Sequence, residues 1–115
     1  MVSLVVQLQV RDDREDVVLL NYVRGIIEQT GVSWEEDRDE KLYSNFTVTS
    51  SDIRKFWLNF LDGISVDPQL KSRLQNCWIV VVQGKNGWDD YLTLAHFDDS
   101  VELDEVKLIS VDKRH

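Results

Sequence analysis

Proline and cysteine each occur once in these 115 residues, and glycine five times. So little proline and glycine excludes a long flexible or polyproline linker. The lone Cys77 excludes an intramolecular disulfide and any paired-cysteine metal motif. Histidine is limited to His96 and the terminal His115, which leaves few groups for acid–base work near neutral pH. No run approaches the roughly 18 apolar residues needed to span a bilayer. There is no phosphate-binding glycine loop, no serine elbow and no EF-hand spacing. Residues 1–10 lack the cationic start, long apolar block and cleavage site of a signal peptide. The expectation is therefore a cytoplasmic chain, in which the Asn45-Phe46-Thr47 sequon has no role.

Basic side chains are also scarce, 13 against 21 acidic ones, for a formal charge of −8. That disfavours nucleic acid or an anionic membrane as a partner, because both are bound through Lys and Arg. A basic partner remains open. The competing reading is acidity for solubility alone.

Apolar residues are plentiful, at 43% of the chain with four Trp and four Phe, enough for the core of one domain over residues 1–115. Residues 3–10 alternate, with Leu4, Val6, Leu8 and Val10 on one face, as in a half-buried strand. Asp12 or Asp13 is placed to cap a helix over Arg14 to Thr30, with Val17, Leu20, Val23, Ile26 and Ile27 as its apolar stripe. Gly31 stops it, and Gly25 inside it suggests a close backbone approach. Val32 to Glu36 is read as a strand, Asp37 to Glu40 as a charged turn, and Lys41 to Thr49 as the return strand with Leu42, Phe46 and Val48 inward.

Ser50 or Ser51 then caps a helix whose Ile53, Phe56, Trp57, Phe60, Leu61 and Ile64 recur at steps of three and four, ended by Gly63. Asp67-Pro68 starts a short helix to about Gln75. Trp78 to Val82 is a continuous apolar run that suits a strand covered on both faces. A turn at residues 84–87 leads to a strand over Asp90 to Phe97. Residues 98–105 are read as acidic loop, and Val106 to Val111 as a last edge strand.

This order predicts an α+β two-layer sandwich with helices on one face of an antiparallel sheet. It would be a ferredoxin-like βαββαβ core with an added C-terminal hairpin or edge strand. In such a topology three acidic segments converge on one end. They comprise Asp12, Asp13, Glu15 and Asp16; Glu35, Glu36, Asp37, Asp39 and Glu40; and Asp98, Asp99 and Glu102. Trp34 stands beside the second of them, and Trp and Tyr are enriched in binding hot spots. The partner-binding candidates are thus Asp12, Asp13, Trp34, Glu35, Glu36, Asp37, Asp39, Glu40, Asp98, Asp99 and Glu102.

No catalytic, metal or cofactor site is assigned. Cys77 and His96 are the only nominal nucleophile and base, with no third orienting group. The expected function is a non-catalytic domain whose acidic end occludes a basic protein. That fits an immunity or antitoxin-type inhibitor of a toxin or nucleic-acid-cleaving enzyme, acting as a monomer or homodimer. The alternative is a self-associating or ligand-binding regulatory domain whose bare sheet face carries Val5, Tyr43, Leu92 and Leu94.

Overall fold

Strand β1 (Val2–Gln9) buries every second side chain, Val2, Leu4, Val6 and Leu8, as its alternation dictates. It sits at the centre of an antiparallel five-stranded sheet of order β2-β3-β1-β4-β5, where β2 is Ser33–Asp39, β3 Tyr43–Ser50, β4 Trp78–Gly84 and β5 Gly87–His96. Among the described residues three α-helices complete an α+β fold: α1 (Arg14–Gln29), α2 (Ile53–Ile64) and α3 (Pro68–Gln75). The structure is a computed structural model and describes residues 1–10, 14–39 and 43–109. The caps expected at Asp12 or Asp13, and the inward Leu42, lie outside the described residues.

One face of the sheet and the apolar faces of the helices form a single buried cluster. Its aromatic centre joins Phe56 to Phe60, and Trp57 to both Phe60 and Trp78, at ring separations of 5.8–6.0 Å. Burying such side chains contributes about 1.5–3 kcal/mol each. Tyr22 ties α1 to the end of α2 by donating its hydroxyl to the Ile64 carbonyl at 2.9 Å. Gly63 does not end α2, which continues to Ile64. It allows α1 to approach, because a Cβ there would stand 2.7 Å from Ile26 Cγ2. A Cβ on Gly25 would meet nothing within 4 Å, so the close approach expected there falls at Gly63 instead.

Several local expectations are corrected. Asp52, not Ser50 or Ser51, caps α2, accepting from the Lys55 amide at 3.1 Å. Val17 is exposed and Leu19 takes its place in the buried stripe of α1. Strand β2 continues past Glu36 through Asp37 and Arg38 to Asp39, where the expectation is a charged turn from Asp37. An edge strand accommodates such a run because both of its faces reach solvent at the rim. Ile79 and Val81 are only half-buried, so β4 is covered on one face, not two. Val106–Leu108 is a 3₁₀ turn instead of an edge strand. Ile109 anchors it in the core, and its carbonyl accepts from the Arg54 guanidinium at 2.7 Å.

The segment after β5 acts as a strap along the outer edge of that strand. Asp104 brackets Thr93 at two points. Its backbone N–H donates to the Thr93 carbonyl and its carboxylate accepts from the Thr93 N–H, both at 2.8 Å. One residue thus satisfies an edge donor and an edge acceptor that a further strand would otherwise take.

Candidate functional site

The strand registers define which side chains share the face that the helices leave open. One row across it is Glu35, Thr47, Val5, Val81 and Thr93. The next is Asp37, Asn45, Gln7 and Ile79, with His96 in register at the end of β5. Tyr43 and Gln9 follow. The face therefore grades from carboxylates on the β2 edge, through neutral side chains on β3 and the mixed Val5 and Gln7 of β1, to aliphatic Ile79 and Val81 on β4. Arg38 falls in the opposite phase, in register with Ser44, Leu8 and Trp78 on the helix side. Among the described residues these open-face rows contain no lysine or arginine. The rows of the other phase are the inward ones, and there Leu92 and Leu94 point into the core.

That last placement corrects the expected membership of the open face. Val5 and Tyr43 belong to it, but Leu92 and Leu94 do not. A register shift between Val80 and Val81 pairs Val80 with Ala95 and Val81 with Thr93, which turns both Leu94 and Ala95 inward. In their place Trp88 and Tyr91, 43% and 55% exposed, line an open groove of about 310 Å3 with Val5, Gln7, Ile79 and Val81. Periodicity alone does not place Trp88 and Tyr91 together, because a bulge between Val82 and Gly84 breaks it.

The acidic segments are spread by the same topology. Asp39 is in register with Tyr43, and Tyr43 with Gln9 at the end of β1. Asp98 and Asp99 follow β5, whose His96 is in register with Ile79 at the start of β4. Both segments thus flank the same end of the sheet, on opposite edges, about 19 Å apart at four strand spacings. Asp12, Asp13 and Glu40 lie outside the described residues, as do the side chains of Glu15 and Asp39. Glu102 is exposed in the strap.

Trp34 lies near the other end of β2, in register with Val48 and Leu4. It faces the helix side, with its ring 6.0 Å from Phe46. Glu36 also faces that side and is held by Arg24 through two hydrogen bonds of 2.7 and 2.8 Å. The Glu36 carboxylate raises the Arg24 pKa above its ordinary value. Asp16 meets Arg73 at 3.7 Å. Asp98 accepts from the Ser100 N–H at 2.9 Å and hydroxyl at 2.7 Å, and these bonds lower its pKa.

Cys77 donates its thiol to the Leu74 carbonyl at 3.5 Å, and burial pushes its pKa up to about 11. A thiol held in the neutral form is a poor nucleophile. His96 packs against Phe97 with ring centroids 4.6 Å apart and planes tilted by 33°, and its Nδ1 accepts from the Asp98 N–H at 3.0 Å. It lines a second groove, of about 640 Å3, beside Lys71, Asn76, Trp78 and Asp99. No group of three or more His, Cys, Asp or Glu among the described residues is placed to hold a metal ion. No helix among them is long and apolar enough to cross a membrane. Comparison with protein-family models, curated proteins and solved structures returned no match.

Proposed function

We propose that this chain is a non-catalytic protein-binding domain of the cytoplasm that occludes a basic partner with its acidic carboxylates. The type of role is that of an immunity protein or antitoxin, an inhibitor of a toxin or nucleic-acid-cleaving enzyme. Such a target is itself basic around its substrate site, which makes an acidic, chemically inert surface complementary to it. The architecture we assign is a ferredoxin-like βαββαβ core carrying β5 as an added strand. The strand order β2-β3-β1-β4 with antiparallel neighbours supports it.

The observation that carries the functional reading is the partition of charge on the sheet. Carboxylates from β2 border the open face, Asp98 and Asp99 extend the same end, and the described rows offer no cation to neutralise them. Unpaired like charge is relieved by a cationic partner and steers it to fast association.

A tagged copy in native cell extract tests this. The expected result is one basic protein, retained at low salt and released at high salt, and not retained by an Asp37→Lys, Asp39→Lys variant. Retention that is insensitive to both salt and charge reversal would overturn it. A second reading, self-association, is favoured by the Trp88–Tyr91 groove, which leaves apolar surface in water. Sedimentation that shifts with protein concentration would select it.

A further inference from the structure

We propose that the groove lined by Trp88 and Tyr91 seats an arginine or lysine side chain of the partner. This rests on the reading of a basic protein target and names the contact that target makes. The groove walls supply both parts of what a long cationic side chain needs. Val5, Ile79 and Val81 give aliphatic surface for the methylene stem. Trp88 and Tyr91 give aromatic surface for the charged head, with the Gln7 carboxamide as a polar group in the same groove.

Charge decides between a cation and the other occupants. The open-face rows hold Glu35 and Asp37 without a described lysine or arginine, and Asp89, next to Trp88 in the chain, is exposed. Lys85 is outside these rows, in the exposed hairpin turn. A second copy would bring another chain of net charge −8 against this face. A purely apolar anchor would leave the carboxylate border unused. A basic element satisfies both, with one cation in the groove and a second over Glu35 and Asp37. Those carboxylates are two to three strands from the β1 and β4 walls of the groove, about 10–14 Å, and four from Trp88 and Tyr91 on β5, about 19 Å.

The test uses the full chain and three synthetic octapeptides that share two flanking lysines and differ at one central position: arginine, citrulline or norleucine. Binding is followed by the indole N–H resonances of the four tryptophans, with Trp88 assigned by a W88F variant. The expected result is a shift of the Trp88 resonance and an affinity for the arginine peptide about two- to five-fold above both others, the range of an exposed cation–π contact. In a W88L/Y91L variant that advantage falls to unity, while the melting temperature stays close to wild type because both side chains are exposed.

Norleucine equal to or better than arginine would overturn the proposal in favour of an apolar anchor. A Trp88 shift with protein concentration alone would overturn it in favour of a second copy. Salt-dependent binding that Asp37→Lys abolishes but Trp88 does not sense would overturn the groove assignment and leave the basic-partner reading standing. No salt-dependent binding of any peptide would overturn both.

Discussion

Alkylation of Cys77 by iodoacetamide, followed from pH 7 to pH 12, tests whether this thiol is chemically inert. Burial raises its pKa from 9.0 to about 11, with the Asp16 carboxylate adding to the shift and Arg73 opposing it. At pH 8 about one thiol in a thousand is then ionised, against about one in ten at the ordinary value, so alkylation should run about 100-fold slower than for free cysteine. The rate should still climb above pH 9 and inflect near 11. The same shift has a stability consequence. The folded state holds the proton more tightly than the unfolded one, so this contribution is complete below pH 9. It is lost as pH rises from there through 11. The urea midpoint should fall over that window in wild type, and less so in Cys77→Ala. Tyr22, whose pKa is raised by desolvation, contributes a similar fall in both proteins. An inflection at or below 9, with a rate matching free cysteine, would refute the argument. It would also restore the reading of Cys77 as a nucleophile.

Three further outcomes follow from packing and edges. Phe46→Ala, at a fully buried site against Trp34, should cost about 3–5 kcal/mol in urea unfolding; a loss under about 1 kcal/mol would refute its central place in the core. Glu36→Gln should cost no more than about 1 kcal/mol, since both partners in the Arg24 ion pair are part-exposed, and the difference should shrink as salt is added. Asp104→Ala frees the Thr93 N–H while keeping the backbone bond to the Thr93 carbonyl, and should raise self-association in sedimentation velocity; unchanged sedimentation would show that the carboxylate does not guard that edge.

Much of the fold is legible in the residues wherever a period and a cap coincide. The alternation of β1, the three-and-four spacing in α2 and the Asp67-Pro68 start of α3 need no tertiary information. The failures share a cause. The Asp37 to Asp39 run looks like a turn because charge argues against burial, but an edge strand does not require burial on both faces. Leu94 and Ala95 point the same way because of a bulge, and a bulge shifts the period of two without marking the sequence. Val106 to Leu108 has the β-branched and aliphatic character of a strand, yet Ile109 and Arg54 fix it as a turn over α2.

The carboxylates of the candidate site were legible as a class, and their directions were not. Glu36 and Trp34 turn to the helix side, while Glu35 and Asp37 turn to the open face. That division follows from the register of β2 on β3, which depends on residues far along the chain. The Trp88–Tyr91 groove needs three strands and two irregularities to assemble, so no local window reveals it.

The central position of β1 also governs how the chain is made. β1 ends at Gln9, but its second neighbour, β4, is complete only at Gly84. At about 5–20 residues per second, a ribosome needs roughly 4–15 s to deliver that neighbour. For those seconds an alternating strand that buries Leu4, Val6 and Leu8 has an open side and an incomplete layer above it. Nascent chains of this protein should therefore engage chaperones until β4 emerges, and a circular permutant that begins at β4 should depend on them less.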